Sequence, residues 1–201
     1  MARPRTFDEA QALRAVRDQF WSKGYAATSM DDLMKATGLG KGSLYGAFGD
    51  KQQLFRKVFD AYCVSSVESV EKTLAGPDAG ALERLRQFLL GVATASAAEV
   101  NRRGCLLSRG TAELAAQDAQ VADRALETFR GLEAAFVRCL TQAQAHGDLG
   151  AQADPRRLGA LLLALFRGME AVGKAGMEEA SLRGMVETAF EGLPVASKRR
   201  R

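Results

Sequence analysis

The chain has 201 residues, 47% of them hydrophobic and 26% charged, with a net charge of +4; that supplies one substantial core or two small ones and excludes a disordered chain. Three scattered cysteines with no CxxC pair, and a single histidine, exclude a disulfide framework and a metal cluster by spacing. The most apolar run, LGALLLALF at 158–166, is too short to cross a bilayer, and the polar, basic opening MARPRTFDEA has no export-signal core.

These bounds predict a cytoplasmic protein in a reducing compartment, with no membrane association, no metal and no cofactor. The charge is unevenly placed. Residues 1–60 carry ten Lys or Arg against seven Asp or Glu, residues 61–197 are net negative, and 198–201 form a basic tail, KRRR. A basic N-terminal third beside an acidic remainder fits a nucleic-acid contact at one end of the molecule, although solvated surface charge gives the same count. No period-two run of β-branched residues appears, and Ala, Leu, Glu and Arg are abundant, so the fold class is all-α.

In chain order, Arg3 and Arg5 flank Pro4 in a short basic arm that either frays or lies along DNA. Thr6 is the expected cap of a first helix over 7–23, with Ala10, Leu13, Val16 and Phe20 on one face and Gly24 ending it. Two overlapping start signals follow: Thr28 with Asp31, and Ser29 with Asp32, each a hydroxyl with an acid three residues on. The second helix therefore begins near Ser29 and stops at Gly38. A third, over 40–48, packs through Leu44 and Phe48 and turns Lys41, Gly42, Ser43, Gly46 and Ala47 outward. Three glycines in nine residues cost it roughly 1 kcal/mol each against alanine; close approach to another backbone, such as a DNA strand, is a physical reason to keep them. Asp50 caps the next helix with Gln53 as its reciprocal partner. Lys51 stands in that helix's first turn, where a bound phosphate offsets its conflict with the dipole.

This stretch, with its core GLGKGSLYGAFGDK, resembles the TetR family of bacterial transcriptional repressors from about Phe7 to Phe59. The resemblance implies that Thr28, Tyr45 and Lys51 hold phosphates while Lys41, Gly42, Ser43, Gly46 and Ala47 face the major groove. Gly46 and Ala47 depart from the histidines or aromatics many relatives carry there, which leaves fewer hydrogen-bonding groups on the reading face. The implied architecture is a three-helix helix-turn-helix head (1–50), a connecting helix (51–75) and a larger helical effector-binding and dimerisation body (76–197).

The connecting helix shows one apolar face: Leu54, Phe55, Val58, Phe59, Tyr62, Val67, Val70 and Leu74. Gly76, Pro77, Asp78 and Gly80 mark a linker. The body is read as helices over 81–100, 104–115, 121–145 (Leu126, Phe129, Leu132, Phe136, Val137 and Leu140 inward), 155–173 and 181–193. Phe88, Cys105, Leu107, Phe136, Leu140, Leu162, Phe166 and Met169 are candidates to line an effector cavity or, equally, to form solid core. Cys105, in GCLLSRGTAE, resembles a cysteine that senses electrophiles or oxidants in some TetR subgroups. Arg102, Arg103 and a helix N-terminus would favour its thiolate, and an ordinary packed cysteine is the alternative. Ala160, Ala164 and Gly168 repeat every four residues; with Leu182, Met185, Val186, Ala189 and Phe190 they are the expected two-fold dimer interface, or else burial within one subunit.

The reading is a non-enzymatic, ligand-responsive repressor, a homodimer on double-stranded operator DNA with a small-molecule effector. The competing reading is a helical scaffold whose head has lost DNA binding. No nucleophile–base–acid set or phosphate loop supports an enzyme.

Overall fold

In a computed structural model of the chain, residues 7–98 and 103–194 are described. The basic arm, Thr6, Arg102 and the tail at 198–201 lie outside them. Among the described residues there are nine α-helices and no strand: α1 (Glu9–Lys23), α2 (Met30–Thr37), α3 (Lys41–Phe48), α4 (Lys51–Leu74), α5 (Ala81–Ala98), α6 (Leu106–Leu114), α7 (Ala119–His146), α8 (Pro155–Lys174) and α9 (Glu179–Glu191). None is long and apolar enough to cross a membrane.

The chain forms two compact units. Of the described residues, those within Met1–Val64 and Cys105–Ala125 form the first, and those within Ser65–Gly104 and Leu126–Arg201 the second. Residues 105–125, grouped by the sequence reading with the C-terminal body, thus pack with the N-terminal helices. The physical reason lies in α6, whose buried Gly110 has no side chain to hold it away from α4. A Cβ there would stand 2.6 Å from a Phe59 ring carbon and 3.0 Å from Phe55.

The core of the first unit is aromatic. Phe20, Phe55 and Phe59 are fully buried, with Phe20 edge-on to Phe55 at 5.1 Å and Phe55 stacked on Phe59 at 5.4 Å. Asp8 caps α1 by accepting from the Gln11 N–H, two residues later than the expected Thr6. Ser29 and Asp32 complete the second of the two overlapping capping boxes, and Gly38 closes α2 in the left-handed conformation (φ 67°). Asp50 and Gln53 exchange backbone N–H bonds at 2.8 and 3.0 Å, as the spacing predicts.

In the second unit α5 packs on α8 and α9. Phe88, Phe136 and Phe166 form a mutual triad with centroids 5.5–5.9 Å apart. Asp154 caps α8, with Pro155 at its first position. Gly159 and Gly173 give α8 its close approaches: a Cβ would meet a Val137 methyl at 2.6 Å and the Ser96 Cβ at 2.8 Å. The α7 stripe is corrected at one position. Leu126 is 48% exposed, because the buried row runs through Ala125, Thr128, Leu132, Ala135, Phe136, Cys139, Leu140 and Ala143, and Leu126 stands about 100° around the helix from Ala125.

Candidate nucleic-acid interface

Helix α3 is short, has no side-chain N-cap at Gly40, and carries glycine at two of its eight positions. It is held by two anchors. Leu44 is fully buried and Phe48 nearly so, and Phe48 meets Phe7 edge-on at 6.2 Å. Lys41, Gly42, Ser43, Tyr45 and Gly46 are exposed, and Ala47 is half-buried. A Cβ added at Gly42 or Gly46 would meet nothing within 4 Å. Neither glycine is therefore required by packing within the chain.

The basic groups around this helix are arranged over rings. The Lys41 ammonium lies 5.8 Å from the Tyr45 centroid, Lys51 4.3 Å over Tyr25, and Lys57 5.2 Å from Phe48 while pairing with Glu9 at 2.9 Å. Burial draws the Lys51 ammonium below the ordinary lysine pKa, and the Glu113 carboxylate partly opposes it. Burial likewise raises the Tyr25 phenol, with the charges of Asp50 and Asp118 adding to the effect. Asp32 is held well below the usual carboxylate range by the Lys23 ammonium and by the Ser29 N–H and hydroxyl, so α2 begins on a fixed negative group suited to its dipole.

Thr28 is a correction. The residue is fully buried, and its hydroxyl donates to the Gly24 carbonyl at 2.6 Å. A hydroxyl committed to the α1–α2 turn is not presented to a phosphate, which leaves seven of the eight expected DNA contacts at or near the surface.

Sequence reasoning missed Asp118, Arg109 and Glu113. Asp118 is 3% exposed and receives the Gln52 amide and the Arg56 guanidinium, both at 2.8 Å, on one oxygen. Its other oxygen caps α7 at the N–H groups of Gln120 and Val121. Burial works to raise this carboxyl; Arg56, Gln52 and Val121 outweigh it and leave it below the ordinary range. The only signal in the sequence was an Asp just ahead of a helix.

Of the expected cavity residues, the structure brings Phe88, Phe136 and Phe166 together in the triad, with Leu140, Leu162 and Met169 fully buried in the same unit. Cys105 and Leu107 belong to the other unit, where Leu107 is fully buried and the Cys105 sulfur lies 3.6 Å from the Tyr62 hydroxyl. A recess of about 160 Å³ opens elsewhere, between the end of α4 and α7, lined by Leu74, Ala75, Ala135 and Cys139 with Glu71, Arg138 and Gln142. None of the expected cavity residues lines it. The Cys139 thiol is raised by burial and donates weakly to the Leu74 carbonyl at 3.7 Å.

The expected dimer residues divide. Ala160, Ala164 and Gly168 are exposed and Met185 and Ala189 half-buried. Leu182, Val186 and Phe190 are buried within the single chain, a correction whose cause is α5 packed against α9.

A short helix exposing lysine, serine and bare backbone, presented by two capped helices, defines a helix-turn-helix DNA reader. Residues 12–58 match the model of bacterial regulatory proteins of the tetR family, and residues 81–188 match the tetracyclin repressor-like C-terminal domain. The chain belongs to the TetR family and is a DNA-binding transcriptional regulator. It is similar to the HTH-type transcriptional repressor ComR of Escherichia coli K12, 28% identical over 93% of this chain and 88% of that protein. It is also similar to the transcriptional regulator AcuR of Cereibacter sphaeroides, 30% identical over 73% and 67%. Among solved structures, a cysteine mutant of the TetR family regulator CifR, complexed with 26-base-pair double-strand operator DNA, has a TM-score of 0.81 at 26% identity, covering 96% of this chain and 100% of that one. Reduced NemR of E. coli, at 16% identity, shares the fold with a TM-score of 0.80 over 93% and 97%.

Proposed function

We propose that the protein is a homodimeric, effector-responsive repressor that acts in the cytoplasm on a palindromic operator. The observation that carries this reading is the exposed face of α3, where lysine, serine, tyrosine and two glycines face solvent while Leu44 and Phe48 hold the helix from behind. Lys41 and Ser43 donate to base edges or phosphates, and Gly42 and Gly46 let the backbone come close to the groove wall. Tyr45 and Lys51 supply phosphate contacts; Lys51 leaves its seat over Tyr25 to do so and regains a counter-ion there.

Two heads related by a two-fold axis engage half-sites about one helical turn, roughly 34 Å, or a multiple apart. The exposed α8 row of Ala160, Ala164 and Gly168, with Met185 and Ala189 of α9, forms the dimer contact. The repressor names of ComR and CifR's operator complex support the DNA partner, and the match to the C-terminal domain model supports an effector bound in the second unit. Effector acts by its difference in affinity between the DNA-bound and free states.

The test is binding of purified protein to the duplex upstream of its own coding sequence across a salt series. The expected result is a linear fall of log affinity with log salt, the slope counting phosphates at about 0.9 each. Absence of any salt-dependent shift would overturn the reading.

A further inference from the structure

The turn from α1 into α2 sets the direction in which α2 leaves and hence how α3 is offered. It is held both locally and from a distance. Gly24 ends α1 with φ 86° and its N–H on the Phe20 carbonyl, and Thr28 reaches back to the Gly24 carbonyl. The Thr28 N–H reaches the Tyr25 carbonyl at 3.3 Å, and Lys23 pairs with Asp32 across the turn at 2.7 Å; further polar groups of the turn are taken up by α6, 87 residues on from Ala26. The Glu113 carboxylate accepts the Ala26 N–H at 3.1 Å. Arg109 donates to the carbonyls of Trp21 and Ser22 at 2.8 and 2.9 Å and to Glu113 at 3.1 Å. The pair seats directly against Gly24, where a Cβ would fall 2.3 Å from a Glu113 oxygen and 3.0 Å from the Arg109 Nε. Both side chains are about three-quarters buried, which strengthens charge-assisted bonds that water would otherwise weaken.

We propose that Glu113, with Arg109, is a positioning residue for DNA recognition, clamping the α1–α2 turn so that α2 and α3 keep one pose. The proposal rests on the DNA-reading function above and deepens it. Electrostatics alone points the other way, which makes the role separable. Glu113 places a negative charge in a unit that binds a polyanion, and its field reaches Lys51. If it were only a surface charge, removing it would tighten binding by lowering repulsion. A clamp predicts weaker binding despite the gain of positive charge.

The experiment uses the full-length protein and the duplex upstream of its own coding sequence, with affinity by fluorescence anisotropy at fixed salt and amide hydrogen exchange of the DNA-free protein. For Glu113→Ala the expected results are about tenfold weaker binding and about tenfold faster exchange across residues 24–33. Glu113→Gln keeps an oxygen for the Ala26 N–H and is expected to bind within about threefold of wild type, a rescue that a nonspecific loss of charge would not give. Arg109→Lys keeps the charge but not the fork that spans two carbonyls and a carboxylate; it is expected to shift both readouts in the same direction as Glu113→Ala, and it carries the comparison should that variant fail to fold. Unchanged or tighter binding with unchanged exchange in Glu113→Ala or Arg109→Lys overturns the clamp while the DNA-reading function stands. A wild-type protein that binds no such duplex sinks that function, and this role of Glu113 with it.

Discussion

Helices α3 and α8 both turn small residues to solvent, and they do so in different electrostatic company. On α3, Gly42 and Gly46 are flanked by Lys41 and Tyr45. On α8, the row of Ala160, Ala164 and Gly168 adjoins Leu161, 58% exposed, with Arg157 and Arg167 toward its two ends. In each row a glycine has open space where a Cβ would go, at Gly46 and at Gly168. Small residues permit close approach in either case; the neighbours decide what approaches. A lysine with a half-exposed tyrosine suits a phosphate-lined groove, and a leucine among alanines suits another apolar helix.

The comparison breaks most sharply under charge reversal. Lys41→Glu is expected to weaken operator binding roughly 100-fold or more near 0.1 M salt with the oligomeric state unchanged; anisotropy and sedimentation report the two separately. Leu161→Glu should act first on the oligomeric state, shifting the proposed dimer toward monomer by roughly 2 kcal/mol or more per buried carboxylate, with thermal unfolding of the single chain little altered. An α8 face that tolerates this glutamate without dissociation is not the dimer contact.

A finer test uses one methyl group. Gly46→Ala and Gly168→Ala each meet no clash within the chain and should raise helix stability by about 0.5–1 kcal/mol in thermal unfolding. The first should weaken DNA binding and spare the dimer; the second should weaken the dimer and affect DNA only through it. Smaller still is an acid effect at Asp118. Its carboxyl is depressed on folding, so its contribution to stability is complete above the unfolded value of about 3.9 and fades as pH falls through that value toward the folded one. Asp118→Asn should flatten the acid limb of the stability profile below about pH 5 and leave the neutral region with a constant loss, read by denaturant unfolding at a series of pH values.

What sequence made legible was local. Ser29 with Asp32 and Asp50 with Gln53 announce helix starts because both partners lie three residues apart, and the apolar spacing of 3.6 located all nine helices among the described residues. What it hid was long-range and polar. Asp118 finds Arg56 across 62 residues, and Glu113 finds Ala26 across 87; on a helical wheel such charges look like solvated surface. The phosphate role of Thr28 came from the family resemblance and not from its neighbours in sequence; the structure commits its hydroxyl one turn back to the Gly24 carbonyl. Leu182, Val186 and Phe190 carried the right apolar character for an interface, and only the placement of α5 shows that their burial is already satisfied inside one chain.

Because α6 backs Phe55 and Phe59 through Gly110, the DNA-reading half cannot be excised as one continuous piece. A fragment ending at Val64 would expose the faces of Phe55 and Phe59 that Gly110 covers and leave the amide of Ala26 without its acceptor, and should precipitate or stay molten. A minimal reader must be a splice, with the stretch 105–125 grafted back through a short loop.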